Sequence, residues 1–302
     1  MNSNMNRLHA ALWSAVLCVV LMLLIVGVWY ESLNNPAYID ASSDNVQTVS
    51  SAAPMTSPPP PITTPVPLTT TTTLPPVTTT TQSTAPGTYA DEVYAKRAYL
   101  TFDDGPSENT AAIIAILKKY NVKATFFVIG GRSADRYRLI TESGNVIALH
   151  SMVHDYDKVY KSVDAYFADL CELEELVVNA TGHRPKIIRF PGGSSNTISN
   201  KHCNGIMKTL VVEVERRGYT YFDWNVDSGD ALDNNVPADK LLEKIKASCD
   251  GRKSVNILLH DTGKSKQTTV EALPRIIEYL QSEGYTILPI TEGTKPVHHR
   301  SA

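Results

Sequence analysis

The sequence AYLTFDDGP at residues 98–106 joins a nearly continuous apolar run to two aspartates and a Gly-Pro turn. An apolar run without polar alternation is typical of a parallel strand that is buried on both faces. Asp103 and Asp104 stand directly after that strand. Because the functional sites of parallel α/β folds lie at the carboxyl ends of the strands, this stretch indicates both a fold class and the edge that carries the chemistry.

Six further runs rich in apolar residues alternate with stretches of helical periodicity. The runs lie at residues 124–129, 146–149, 187–190, 219–224, 255–259 and 285–288. Helical spacing is found over 163–177, 206–214 and 270–280, where Pro274 predicts a kink or a late helix start. Seven strand–helix alternations predict a parallel α/β architecture. An irregular barrel and an open, doubly wound sheet both fit this pattern.

Residues 10–30 form an uncharged, mostly apolar run that ends in Trp29 and Tyr30. As a helix at about 1.5 Å per residue, the run spans about 31 Å, close to the ~30 Å hydrocarbon core of a bilayer. We predict an uncleaved transmembrane anchor here, with a secretory signal peptide as the alternative. Arg7 precedes the run and acidic residues follow it. This charge pattern predicts that residues 1–9 are cytoplasmic and that the remainder is extracellular.

Residues 31–90 are predicted to be a disordered linker. Between Thr56 and Thr88 the chain holds 14 Thr and 9 Pro, a composition with little apolar surface to bury. An unmodified, extended spacer and an O-glycosylated stalk both fit this composition. Residues 91–292 are long enough to build one sizeable core and form the predicted catalytic domain. Residues 293–302 are predicted to be a disordered tail.

The composition excludes several classes of function. A net charge of −3 provides no large basic field for binding nucleic acid or anionic lipid. Four cysteines in 302 residues exclude a disulfide scaffold. We predict that the cysteines of the domain are buried small hydrophobic residues, with a Cys203–Cys249 bridge as the alternative. The chain also has no phosphate-binding loop or dinucleotide-binding fingerprint.

Polar, titratable residues follow five of the seven predicted strands. They are Asp103 and Asp104 after the first strand, His150 and His154 after the third, Arg189 at the fourth, Asp230 after the fifth and His260 at the sixth. Taken singly, each has a structural explanation: a turn for the aspartates, ordinary surface or core positions for the histidines, and an ion pair for Arg189 and Asp230. Parallel strands would bring all of them to one rim, so we interpret them as one site.

This set of side chains predicts metal-assisted hydrolysis. The i, i+4 spacing of His150 and His154 places both rings on one helical face, within reach of a single cation. With Asp104 they make up three protein ligands, as in catalytic zinc sites. Asp103 is predicted to be the general base that takes a proton from water, and His260 the general acid for the leaving group.

Other residues on the rim are expected to support this chemistry. Arg189 is predicted to favour the ionised form of Asp103, and Asp230 to hold Arg189 in place. Backbone N–H groups of Gly192 or Gly193 are predicted to line an oxyanion hole, because glycine lets the backbone approach a substrate closely.

Five strings together resemble those of the carbohydrate esterase family 4 polysaccharide deacetylases, which share the NodB homology domain. The strings are TFDDGP at 101–106, HSMVH at 150–154, RFP at 189–191, WNVDSGD at 224–230 and LLH at 258–260. They follow the order of the family across residues 97–290. The resemblance implies a distorted (β/α) barrel of about seven parallel strands and a divalent metal, most commonly Zn²⁺. It also implies removal of acetyl groups from N-acetylglucosamine-type units.

The resemblance implies the same base, acid and metal ligands, and it pairs Arg189 with Asp230 as the groups that tune the base. Of the two glycines, it selects the N–H of Gly192 as the oxyanion contact. It adds Leu258 as a wall of the acetyl pocket and Trp224 as a substrate contact. The chain departs from the pattern at Gly192 and Ala231, where many members carry an aromatic residue.

The leading hypothesis is therefore a metal-dependent N-deacetylase of an extracellular polysaccharide. Peptidoglycan is the expected substrate, because an anchored enzyme reaches only a nearby wall. Chitin oligomers and other exported polysaccharides are the alternative substrates. The alternatives are an O-acetyl esterase acting on a xylan-type polymer and a non-catalytic carbohydrate-binding module on a stalk. We expect the polysaccharide and the membrane as partners, no nucleic acid, and a monomer.

Overall fold

The computed structural model describes residues 90–301, which form an eight-stranded parallel sheet with helices around it. The predicted cytoplasmic end at 1–9, the anchor at 10–30 and the linker up to residue 89 lie outside the described residues. In the part that is described, no helix combines the length and the apolar character needed to cross a bilayer.

The strands lie close to the predicted runs. They are β1 Arg97–Asp103, β2 Thr125–Ile129, β3 Val146–Ser151, β4 Ile187–Ile188, β5 Thr220–Tyr221, β6 Val226–Asp227, β7 Ser254–His260 and β8 Thr286–Ile287. Hydrogen bonding follows the order β5-β4-β3-β2-β1-β7-β6, and β8 pairs with β1. Each of the seven predicted runs contains a strand, and the short β6 is the strand that the pattern did not predict.

The pairing order shows that the sheet is a curved, incomplete barrel. β5 and β6 stand at opposite ends of the order, yet only residues 222–225 separate them along the chain. Five Cα steps reach at most about 18 Å, so the sheet must curl until its two ends nearly meet. Among residues 90–301 no strand pairing joins β5 to β6. The structure therefore favours the irregular barrel over the open sheet.

In residues 90–301, seven α-helices surround the barrel. They are α1 Thr110–Lys119, α2 Ala134–Glu142, α3 Tyr156–Val159, α4 Val163–Thr181, α5 Ile206–Arg216, α6 Ala238–Cys249 and α7 Gln267–Ser282. The three helical patterns of the sequence correspond to α4, α5 and α7. Because α7 begins before Pro274 and continues through it, a late helix start is wrong.

The alternation of side chains along β1 places the site inside the barrel mouth. Leu100 and Phe102 belong to the large core cluster between sheet and helices, whereas Tyr99 belongs to a smaller cluster inside the barrel. Side chains two residues apart on a strand share a face, so Thr101 and Asp103 point inward with Tyr99. The apolar run is thus buried on both faces, and its last inward residue is a carboxylate.

The chain end does not form the disordered tail that was predicted for residues 293–302. The ring of His298 stacks on Tyr221 with centroids 3.8 Å apart. The N–H of His299 donates to Oδ2 of Asp223 at 2.7 Å, and that of Arg300 donates to Oγ of Ser194 at 2.9 Å. The prediction was wrong because these partners come from distant parts of the chain.

The cysteines of the described residues are Cys171, Cys203 and Cys249, and all three are free. A Cys203–Cys249 bridge is therefore wrong. Only Cys249 is buried, so the prediction of buried small hydrophobic residues holds for that one alone.

Candidate metal centre and active site

Asp104, His150 and His154 meet at the barrel mouth, at the carboxyl ends of β1 and β3. Oδ1 of Asp104 lies 3.5 Å from Nε2 of His150 and 3.4 Å from Nε2 of His154. This oxygen is buried and has no hydrogen-bond partner within residues 90–301. A buried acceptor without a partner is costly, and one carboxylate with two imidazoles is a ligand set that suits zinc. The three residues therefore fit a divalent cation.

His150 is held in the tautomer that a metal ligand needs. Its Nδ1 lies 2.8 Å from the carbonyl oxygen of Arg189. A carbonyl oxygen only accepts hydrogen bonds, so Nδ1 carries the proton and Nε2 keeps its lone pair. Burial lowers the pKa of the His150 ring to about 3, which keeps the ring neutral at neutral pH. Nε2, the atom near Asp104, is thus free to bind a cation.

The two histidines meet without the helix that their spacing predicted. His150 is part of β3, and His154 follows in a turn with φ of 47°. The ring centroids are 5.1 Å apart. A strand end followed by a left-handed residue therefore brings the rings together, and the expected helical face is wrong.

Asp169 on α4 shapes this turn, and the sequence analysis missed it. Its carboxylate accepts the N–H groups of Met152 and Val153 at 2.8 and 3.1 Å and the hydroxyl of Ser151 at 2.9 Å. Oγ of Ser151 in turn accepts the N–H of His154 at 2.9 Å. A single aspartate on a long helix offers no local signal of this role, because its partners lie on another element.

Asp103 is paired with Arg189 on the inner face of the barrel. Nη1 of Arg189 donates to Oδ1 of Asp103 at 2.7 Å, and both side chains are buried. Burial raises the pKa of the Asp103 carboxyl, and the positive charge of Arg189 acts in the opposite direction. The other carboxylate oxygen, Oδ2, lies 3.9 Å from Nε2 of His150 and thus faces the three-residue cluster.

The prediction that Asp230 holds Arg189 in place is wrong. Arg189 is instead fixed by neutral acceptors: the carbonyl oxygens of Phe222 and Asp223 at 2.9 and 3.1 Å, and Oγ1 of Thr101 at 2.8 Å. A guanidinium has five N–H donors, and the barrel interior supplies enough acceptors without a second carboxylate.

Asp230 pairs with His260. Its Oδ1 lies 2.7 Å from Nδ1 of His260, and its Oδ2 accepts the His260 N–H at 2.8 Å and the Thr269 hydroxyl at 3.0 Å. Burial lowers the pKa of His260, but the hydrogen bond and charge of Asp230 outweigh burial and raise this pKa to about 9. His260 is the direct neighbour of Asp103 in the β1–β7 register, so both side chains reach the same mouth.

The predicted substrate contacts lie on the same rim. Leu258 is two residues before His260 on β7 and therefore shares its inward face. Gly192 has φ of 75°, and within residues 90–301 its N–H donates no hydrogen bond. Trp224 is half-buried and packs against Gly193, where an added Cβ would approach the indole within 3.0 Å.

Asp261 is a further buried carboxylate that the sequence analysis passed over. It accepts the hydroxyl groups of Ser107 and Thr110, each at 2.5 Å, and burial raises its pKa to about 6. Asp261 thereby ties the end of β7 to the segment that follows Asp104. Its place directly after His260 was the available signal.

Comparison with known proteins shows what this chain is similar to. The family described as Polysaccharide deacetylase matches residues 90–207. The peptidoglycan-N-acetylglucosamine deacetylase of Bacillus cereus is 28% identical over 278 residues, 89% of this chain and 88% of the relative. The chitin deacetylase of Colletotrichum lindemuthianum is 30% identical over 225 residues, 70% of this chain and 81% of the relative.

A solved structure is similar over the described domain. The catalytic domain of peptidoglycan N-acetylglucosamine deacetylase from Eubacterium rectale superposes with a TM-score of 0.65 and 40% sequence identity. The match covers 68% of this chain and 94% of that domain. Sequence and fold similarity thus extend over almost the whole of the compared domain.

Proposed function

The chain belongs to the polysaccharide deacetylase family, and from this premise we propose that it removes N-acetyl groups from N-acetylglucosamine units of peptidoglycan. Two of the compared proteins are peptidoglycan N-acetylglucosamine deacetylases. The observation that carries the proposal is the cluster of Asp104, His150 and His154, with Asp103 and His260 beside it at one barrel mouth.

We propose that Asp104, His150 and His154 hold Zn²⁺. The unpartnered oxygen of Asp104 and the neutral ring of His150 support this assignment, since zinc binds carboxylate oxygen and unprotonated imidazole nitrogen. When bound, the cation supplies Lewis acidity, which polarises a carbonyl group and makes a water molecule easier to deprotonate. Three protein ligands leave coordination positions for substrate and water.

Asp103 is proposed as the general base. Arg189 occupies Oδ1, so Oδ2 is the atom placed to accept a proton from the attacking water. Burial alone favours a neutral carboxyl group, which could not act as a base. The buried guanidinium of Arg189 offsets that effect and favours the ionised form.

His260 is proposed as the general acid. Because a carboxylate only accepts, Nδ1 donates to Asp230, and Nε2 is left to donate a proton to the departing sugar amine. The raised pKa of about 9 keeps the ring protonated at neutral pH. Donation of the proton turns a poor leaving group, an amide anion, into a free amine.

The acetyl group is proposed to bind between Gly192 and Leu258. The free N–H of Gly192 can donate to the acetyl carbonyl oxygen, and it stabilises the negative charge that develops there. Leu258 supplies an apolar wall for the methyl group on the inward face of β7. Trp224 is proposed to contact the sugar.

We further propose that the enzyme acts outside the cell as a monomer tethered through residues 10–30. The uncharged run and the Thr/Pro-rich segment that follows it support this placement. A long, extended linker would let the domain reach wall polymer while the chain stays at the membrane.

Acetate release by the full chain in detergent micelles tests the proposed function. Purified peptidoglycan should yield acetate and free glucosamine amines, a chelator should abolish release, and added Zn²⁺ should restore it. Asp103→Asn should keep its zinc and lose turnover. Release from O-acetylated xylan alone would instead identify an O-acetyl esterase, and polymer binding without any release would identify a carbohydrate-binding module.

A further inference from the structure

Tyr156 stands between the metal cluster and the Gly192 loop. It is the first residue of α3, two residues after His154, and the two rings meet edge to face with centroids 5.9 Å apart. On the other side, a Cβ built on Gly192 would lie only 2.6 Å from the Tyr156 hydroxyl oxygen. The hydroxyl therefore lies against the backbone whose N–H is the proposed oxyanion donor.

The Tyr156 hydroxyl has no hydrogen-bond partner among residues 90–301. Two other tyrosines of the domain differ: Tyr160 donates to the carbonyl oxygen of Pro191 at 2.7 Å, and Tyr137 donates to that of Ile129 at 2.7 Å. Tyr156 is half-buried, whereas those two are fully buried. Its hydroxyl is thus a positioned donor beside the site, with its hydrogen-bonding capacity left for a bound molecule.

We propose that the Tyr156 hydroxyl donates a hydrogen bond to the carbonyl oxygen of the acetyl group being removed, beside the N–H of Gly192. This rests on the proposed function, which puts that oxygen between Gly192 and the metal cluster. The oxygen gains negative charge as the carbonyl carbon becomes tetrahedral, and two preorganised donors stabilise it more than one. Tyr156 keeps its proton throughout, so the proton balance between Asp103 and His260 is unchanged.

The same contact accounts for glycine at position 192. With φ of 75°, the backbone there is in the left-handed region. Any side chain would also start 2.6 Å from the hydroxyl oxygen of Tyr156 and would push it away. Gly192→Ala should therefore lower kcat. In a Tyr156→Phe background the added loss should be smaller, because the nearest ring carbon, Cε1, is 3.5 Å from the added Cβ.

Kinetics of Tyr156→Phe in the full, zinc-loaded chain test the proposal. We expect kcat on an N-acetylglucosamine oligomer to fall about 10- to 100-fold. This is less than the roughly 100- to 1,000-fold loss typical for removal of an oxyanion donor, because the N–H of Gly192 remains. KM, bound zinc and Tm should not change. Tyr120→Phe is the matched control, because it removes a hydroxyl that donates to Glu278 on the surface. Unchanged kcat in Tyr156→Phe, or a loss that accompanies loss of zinc or a lower Tm, would overturn the proposal.

Infrared spectroscopy gives a second readout that does not need turnover. In Asp103→Asn with a ¹³C-acetyl-labelled oligomer bound, the carbonyl band should move to higher frequency when Tyr156 becomes Phe, because a hydrogen bond is lost. An unmoved band would overturn the role of Tyr156. If the wild-type chain releases no acetate from any substrate, the proposed function fails, and the carbonyl band still decides whether Tyr156 contacts the acetyl group.

Discussion

Nδ1 of His260 lies 2.7 Å from Oδ1 of Asp230, and Oδ2 of the same carboxylate accepts the His260 backbone N–H at 2.8 Å. Asp230 thus fixes both the ring and the backbone of His260. On the same rim, Arg189 pairs with Asp103 at 2.7 Å. Each proposed proton-transfer group therefore has its own oppositely charged partner, and the two pairs use different neighbours.

Replacing Asp230 with Asn is expected to move the alkaline limb of the pH–rate profile toward neutral pH. Asp230 raises the pKa of His260 to about 9 against the effect of burial. Without the carboxylate, the ring should lose its proton at the ordinary value of about 6.5 or below. The measurement is kcat/KM on peptidoglycan as a function of pH. Asp227→Asn is the control, because it removes a carboxylate that pairs with Lys244. An unchanged alkaline limb in Asp230→Asn would contradict the role of His260.

The same pair should make stability depend on pH. Because its pKa is raised, folded His260 holds its proton more tightly than the unfolded chain does. The stabilisation is then complete below about pH 6.5 and is lost as the pH rises through the folded value, which is about 9. Urea unfolding of the metal-free protein should show a falling free energy of unfolding over this range. Asp230→Asn should show a shallower fall, and equal slopes for the two proteins would refute the linkage.

Asp169→Ala is expected to weaken metal binding while the fold remains. The change removes three hydrogen bonds that hold the turn between His150 and His154. Loss of groups that orient metal ligands commonly costs about 10- to 100-fold in affinity. Competition with a zinc-binding dye measures the effect. Glu172→Ala changes an exposed residue on the same helix and should leave the zinc affinity unaltered. Wild-type zinc affinity in Asp169→Ala would show that the turn keeps its shape without Asp169.

Arg189→Lys is expected to destabilise the protein and to impair catalysis. The guanidinium is fully buried and contacts Asp103, Thr101 and two carbonyl oxygens, which one ammonium group cannot replace. Removing one partner from a buried ion pair typically lowers the free energy of unfolding by about 3–5 kcal/mol. Lysine keeps the positive charge, so the loss in Arg189→Lys should be about 3 kcal/mol or less. Urea unfolding and kcat measure the two effects. Arg275→Lys is the control, because Arg275 forms an exposed ion pair with Asp239. Wild-type stability in Arg189→Lys would contradict this account.

Deleting residues 297–302 is expected to loosen the loop that carries Gly192. The deletion removes two hydrogen bonds: the His299 N–H to Asp223 and the Arg300 N–H to Oγ of Ser194. Asp223 also accepts the N–H of Ser194, which follows Gly192 in the same loop. Each lost hydrogen bond should cost about 1 kcal/mol. Hydrogen exchange at the Ser194 amide should become faster and Tm should fall. Deleting only residues 301–302 is the control, and unchanged exchange at Ser194 in the longer deletion would show that the loop does not need these contacts.

Several features of the fold could be predicted from the sequence because they depend on local pattern. A continuous apolar run such as 98–102 can be stable only with both faces covered, which implies parallel strands between helices. Two-residue β6 lacked such a run and was missed. The polar residues after the strands could also be assigned to one rim, since parallel strands end on the same side whatever their order.

Partner choice was decided only by the tertiary structure. Arg189 binds Asp103 and Asp230 binds His260, because the β1–β7 register and the inward alternation set ångström-scale distances that spacing along the chain does not contain. The turn before His154 likewise depends on Asp169, which lies on α4. The sequence alone thus determined which chemical groups reach the mouth of the barrel. Long-range packing decided which of them touch, because a hydrogen bond or ion pair forms only at short range.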